Sequence, residues 1–239
     1  DERGYAHLIE HMVFRESKYL GNGAAIPAFQ RLGAALGPDT NAETSQTQTV
    51  YHLDLPGATP TSIDEAFKLL SGMITAPALS AQGLALDVPI VLAEMRERGG
   101  TAERVQDAMR TTFYEGQRLA DRATIGSVAS LRAATPTTVR GFHQRWYRPE
   151  NTVVIVAGDA DPAALAAAVT RWFGDWKGSG PHVAAPDFGT PRAPPGANPK
   201  NPVGAVRVLV EPQLPRSVTY AVVRPWHQVH DTIVYNQGL

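Results

Sequence analysis

The chain is 239 residues long and carries 22 Lys and Arg against 23 Asp and Glu, a formal charge of −1. That balance argues against nucleic acid as a partner, because phosphate contacts need a cationic excess. With 43% hydrophobic and 19% charged residues the composition is globular rather than disordered, and no apolar run approaches the roughly 20 residues of a membrane span. Cysteine is absent, which removes disulfides, thiolate nucleophiles and Cys-ligated zinc together.

In chain order, residues 5–14 have helical periodicity, with Leu8, Ile9, Met12 and Val13 apolar. After the break at Gly21-Asn22-Gly23 a second helix is predicted over 24–36, with Pro27 near its start. Residues 40–55 are rich in Thr, Val and Tyr and alternate Tyr51, Leu53 and Leu55 with Val50, His52 and Asp54, which reads as extended strand. Cap residues at 61–65 introduce a helix that buries Ala66, Leu69, Leu70 and Met73. Further helices are predicted near 89–98, 102–114 and 135–147. Residues 152–157 read as a buried strand closed by the turn Gly158-Asp159, and 162–173 as an amphipathic helix. Residues 178–202 have linker composition, and strands return at 206–210 and 218–223. Helices mixed with hairpin-like strands, without regular βαβ alternation, predict an α+β fold.

The sharpest chemical feature is His7-Leu8-Ile9-Glu10-His11. On a helix, His11 lies about 40° to one side of His7 and Glu10 about 60° to the other, so all three groups share one face. Both imidazoles can reach one ion while the carboxylate points at its neighbourhood. A catalytic zinc takes three protein ligands and keeps a fourth position for water, so a third N or O ligand is expected elsewhere in the chain. Among the remaining histidines, His52, His143 and His182 are lone residues that read as surface groups. His227 and His230 are spaced i,i+3 in a strand or loop and do not converge.

HxxEH is the inverzincin order, and its surroundings resemble the pitrilysin/insulinase family of zinc metallopeptidases. The likeness extends over Gly4 to Phe14, over Asn41-Ala42-Glu43-Thr44 followed by Thr49-Val50-Tyr51, and over Trp146-Tyr147-Arg148-Pro149-Glu150-Asn151 leading into 153–159. It covers 4–177 and, more weakly, 204–239.

The resemblance implies a two-layer α+β domain with a mostly antiparallel sheet covered by helices, of the pitrilysin or mitochondrial-processing-peptidase type. It implies one Zn²⁺ per chain, held by His7, His11 and Glu94, the last from the matching Val91-Leu92-Ala93-Glu94-Met95-Arg96-Glu97 segment. Glu97, one turn on, is the rival third ligand. Asp87 occupies a family acidic position seven residues before Glu94. Those seven residues fall about 20° short of two turns, so both acids share a face. With Pro89 between them the helix is expected to begin near Asp87, which then reads as an N-cap, as a second-shell acid, or as both.

By the same resemblance, Glu10 acts as general base toward a metal-activated water, and Asn41, Ala42, Glu43 and Thr44 form an edge strand that holds an extended peptide. The expected activity is an endopeptidase for peptides or small unfolded proteins; the alternative is a non-catalytic peptide-binding or scaffold subunit.

Family members also use an Arg/Tyr pair from a homologous second half or partner subunit. The expected organisation is a zinc-bearing domain over 1–180 lacking its first strands, a linker over 181–204, and the start of a second homologous domain over 205–239. Both termini read as cuts. Ala- and Pro-rich composition suggests a GC-rich bacterial source, and family habit makes the periplasm the expected compartment, with the cytoplasm as alternative.

Overall fold

The structure is a computed structural model that describes residues 1–190, 192, 198, 200, 204, 206–211 and 214–222. His227, His230 and Val223 lie outside the described residues, as does most of the predicted second domain.

Helix α1 (Tyr5–Val13) sits at the centre of the core. Its side chains Leu8, Ile9, Met12 and Val13 are at most 2% exposed, and each such burial contributes about 1.5–3 kcal/mol relative to exposure. Around it pack α4 (Ala81–Arg98), α7 (Pro136–Trp146) and an antiparallel hairpin of β1 (Thr40–Thr44) and β2 (Thr49–Leu53). No side chain caps the start of α1. Instead Gly4, at φ 84°, crosses Gly126, at φ 87°, and a Cβ on Gly4 would lie 2.7 Å from the Ile125 carbonyl oxygen. Only glycine tolerates both the left-handed backbone and this approach.

The remaining helices are α2 (Ala25–Arg31), α3 (Pro60–Thr75), α5 (Thr101–Phe113), α6 (Val128–Arg132) and α8 (Pro162–Phe173), with α3 packed on α8 and α6 on α4. Thr59, Ser127 and Thr135 form reciprocal capping boxes with the residue three positions on, which fixes the starts of α3, α6 and α7. The architecture is helix-rich α+β with one two-stranded antiparallel sheet among the described residues.

Four expectations are corrected. The helix predicted to Leu36 stops at Arg31, because Gly33 turns left-handed and the Gly33 and Ala34 amides donate back to the Gln30 and Phe29 carbonyls at 3.0 Å each. This is a Schellman ending, sealed by buried Phe29 and Ala34. The single strand over 40–55 is instead a hairpin, turned at 45–48 where the Ser45 hydroxyl accepts from the Thr47 and Gln48 amides.

Helix α4 starts at Ala81, not near Asp87: Ser80 caps it by accepting from the Gly83 amide at 3.0 Å, and Pro89 lies exposed inside it. An interior proline removes one helical hydrogen bond at a cost of about 3 kcal/mol. Burial of the apolar Leu84 and Val91 along the opposite face offsets that cost.

Finally, the strands expected at 152–157, 206–210 and 218–222 form no ladder among the described residues. Val153 and Ile155 are 82% and 86% exposed, so the first of these stretches is not buried. A run of β-branched residues supplies propensity, but a strand exists only through its neighbour's hydrogen bonds.

Candidate metal centre

Helix α1 presents His7 and His11 on successive turns, with ring centroids 4.8 Å apart and planes inclined at 71°. Helix α4 brings Glu94 against them: its Oε2 lies 3.6 Å from His7 Nε2 and 3.5 Å from His11 Nε2. One ligand atom from each residue falls within 4.8 Å of the others. Two donors bound to one zinc at roughly 2.0–2.2 Å with tetrahedral angles are about 3.3–3.6 Å apart. The residues present therefore fit a His, His, Glu zinc site.

Protonation supports the same reading. Burial, reinforced by the neighbouring His11, lowers the His7 pKa to about 4 against the pull of Glu94. The imidazole is neutral at pH 7, as a metal ligand must be. Its Nδ1 is buried with no hydrogen-bond partner among the described residues, and Nε2 is the nitrogen that faces Glu94. Arg98, one turn beyond Glu94 on α4, pairs with Glu94 Oε1 at 2.5 Å and leaves Oε2 toward the imidazoles.

Glu10 lies beside this trio and is held from the hairpin. Its Oε2 accepts a hydrogen bond from Thr44 Oγ1 at 2.5 Å, and burial raises its pKa although the Thr44 bond opposes the rise. Along β1, Asn41 and Glu43 are exposed while Ala42 and Thr44 are half-buried, as strand alternation requires. Only Thr44 of these four therefore reaches the centre with its side chain. The edge of β1 opposite β2 carries no strand among the described residues.

Asp87 is not an N-cap. It lies in the middle of α4, 2% exposed, and accepts from Arg15 Nε at 2.8 Å and from its terminal nitrogen at 2.5 Å. Glu97 is exposed and outside the cluster, as are His52 and His182. His143 departs from the surface reading: it is 6% exposed and its Nε2 bonds the Ile74 carbonyl at 2.8 Å.

Sequence reasoning missed Arg98, whose i+4 spacing from Glu94 was the available signal. It also missed the hydroxyls of Thr49, Tyr51 and Tyr147. Tyr51 and Tyr147 share a 2.8 Å hydrogen bond beside the centre. Burial pushes the Tyr51 phenol well above its ordinary pKa and Tyr147 up to about 12, with the Glu10 charge adding to both.

Two histidines on one helix and a glutamate from a second converge with a further acid, Glu10, beside them, an arrangement that fits the inverzincin residue order on a helix-rich scaffold. The chain belongs to the insulinase family, peptidase family M16, whose model matches residues 1–125. A second model, described as the peptidase M16 inactive domain, matches 133–233. The probable zinc protease PqqL of Escherichia coli is 31% identical over 161 residues, which are 67% of this chain and 17% of that protein. The zinc protease PQQL-like protein of Arabidopsis thaliana is 29% identical over 192 residues, 80% of this chain and 20% of its own length.

The crystal structure of the periplasmic protease PqqL from Escherichia coli superposes with a TM-score of 0.74 at 27% identity, over 80% of this chain and 21% of that one. Pitrilysin, at 19% identity and a TM-score of 0.62, shares the fold. The chain thus spans about a fifth of the length of these curated relatives.

Proposed function

We propose that this chain is the zinc-bearing portion of a metalloendopeptidase that hydrolyses peptides or small unfolded proteins. The observation that carries the reading is the convergence of His7, His11 and Glu94 on one point, with Glu10 beside them and outside the set. His7, His11 and Glu94 would hold one Zn²⁺. When bound, zinc supplies Lewis acidity, lowering the pKa of a coordinated water toward neutrality and polarising a carbonyl.

The protein's own groups supply the rest. Glu10, tethered through Oε2, takes a proton from the attacking water and delivers it to the leaving amine. Its raised pKa brings it nearer the operating pH, where a base can both accept and return a proton. The open edge of β1 at Asn41-Ala42-Glu43-Thr44 pairs with the backbone of an extended peptide, a recognition mode tolerant of side-chain sequence. Asp87 acts on the site through Arg15, which follows His11 by one turn.

Residues 1–180 form the zinc-bearing domain, 181–204 a linker, and 205–239 the start of a homologous second domain. A second half or a partner subunit supplies an Arg/Tyr pair for the substrate. The complete ligand set favours this enzyme over a non-catalytic binding subunit. The compartment we assign is the periplasm, in line with the PqqL protease of Escherichia coli.

The test is Glu10→Gln in the intact protein. Zinc content should stay at about one per chain while peptide hydrolysis falls by at least about 100-fold. Hydrolysis near the wild-type rate would remove Glu10 as the base.

A further inference from the structure

Behind Glu10, a file of two threonine hydroxyls leads back from the metal centre, beside the hydrogen-bonded pair of Tyr51 and Tyr147. Thr44 Oγ1 lies 2.5 Å from Glu10 Oε2, and Thr49 Oγ1 lies 3.2 Å from Thr44 Oγ1. The hydroxyl of Tyr147 is 2.8 Å from that of Tyr51. The hairpin register builds this alignment: Thr44 stands directly across from Thr49, and Tyr51, two residues further along β2, shares the face of Thr49. Tyr147 arrives from the end of α7, where its ring stacks on His143 with centroids 4.6 Å apart and planes at 22°. The bond from His143 to the Ile74 carbonyl fixes that ring in turn.

The polarity of the file is forced. An ionised carboxylate only accepts, and each hydroxyl has one proton to give. Thr44 therefore donates to Glu10 and accepts from Thr49. Both threonine O–H dipoles point toward Glu10 Oε2, an arrangement in which each bond polarises and strengthens the next. Among the described residues no hydrogen bond reaches Glu10 Oε1, so the tether occupies one oxygen and leaves the other toward the reacting proton.

We infer that Thr44 is a positioning residue for Glu10, backed by Thr49, rather than a residue whose side chain binds substrate. This inference rests on the reading of Glu10 as the base. It also gives the Trp146-Tyr147-Arg148 segment a part in the site, since Tyr147 joins the hairpin to α7.

The experiment compares Thr44→Val, Thr44→Ser and Tyr51→Phe in the intact protein, reading kcat and KM on a fluorogenic peptide and zinc affinity by chelator competition. Thr44→Val keeps the shape and removes the donor. It should lower kcat about 10- to 100-fold, with KM and zinc affinity within about twofold of wild type, the pattern of an interaction used only in the transition state. Thr44→Ser restores the hydroxyl and should recover most of kcat. Tyr51→Phe, which breaks only the neighbouring bond to Tyr147, should cost less than Thr44→Val.

Wild-type kcat in Thr44→Val would overturn the inference, and so would a loss confined to KM or zinc affinity. Failure of Ser to rescue would overturn it too. An inactive Glu10→Gln alongside an unaffected Thr44→Val would sink the file alone, whereas an active Glu10→Gln would sink the base.

Discussion

His7 and His11 sit one turn apart in the same helix, yet His7 is 6% exposed while His11 is only half-buried. The neutral state of His7 is therefore built in by burial, and zinc binding need displace no proton from it near pH 7. The expected consequence is that Glu94→Gln abolishes stoichiometric zinc, because the amide brings no charge to the site. Elemental analysis checks this, and unchanged zinc in that variant would move the third ligand elsewhere.

His143 yields a pH prediction. Its pKa is lowered by burial, with the Ile74 carbonyl bond only partly opposing the shift. The unfolded chain takes up this proton at about pH 6.5, the native protein at lower pH, so the unfolded state binds more protons in between. Stability therefore rises with pH across that window. The contribution is present above about pH 6.5 and is lost as the pH falls through the native pKa. His143→Gln, which cannot titrate, should show a smaller fall in melting temperature between pH 7 and pH 5 than wild type. Equal falls would refute the assignment.

Helices α1 and α4 carry His7, His11 and Glu94, so their relative register decides whether the three proposed ligands meet. Arg15 follows His11 by four residues and Asp87 precedes Glu94 by seven, and their paired contacts of 2.8 and 2.5 Å clamp the two helices beside the centre. Removing one partner of such a pair strands the other. Asp87→Asn should destabilise the protein by about 2–3 kcal/mol in urea melts, at or just below the usual cost for buried pairs because Arg15 is partly solvated. It should also weaken zinc binding. The double replacement Arg15→Met with Asp87→Leu should recover most of the stability, since the pair's desolvation cost disappears with it. A double variant as unstable as Asp87→Asn would refute the clamp.

These elements also show where the sequence was legible. Pro89 dominated the reading of α4 and placed its start six residues late, although Ser80 and the spacing of Leu84, Asp87 and Val91 already marked the true helix. Gly33 was likewise present in the sequence as a stop signal. The helix predicted over 162–173 and the one over 5–14 match α8 and α1 to within one residue, because long apolar periodicity leaves few alternatives.

At the scale of the whole molecule, the chain spans about a fifth of the length of the PqqL relatives of Escherichia coli and Arabidopsis thaliana. Donors that steady a developing oxyanion are worth about 3–4 kcal/mol each, or roughly 10²–10³ in rate. If an Arg/Tyr pair from a second half supplies them, residues 1–239 alone should bind zinc but hydrolyse a fluorogenic peptide at most about 1% as fast as the mixture with that half. Full activity from residues 1–239 alone would refute the two-part site.

The sequence by itself determined the ligand face. HxxEH on a helix places His7, Glu10 and His11 by covalent geometry, and the helical period alone puts Asp87 and Glu94 on one side of α4. Only the tertiary structure decided which carboxylate meets the imidazoles, that Asp87 is held by Arg15, and that the hydroxyls of Thr44 and Thr49 line up behind Glu10. The same holds for the apolar stretch at 152–157, whose β-branched residues form no ladder among the described residues. The physical reason is common to all of them. Periodicity is a property of the chain with itself, whereas a hydrogen bond, an ion pair or a strand needs a partner brought from far along the sequence.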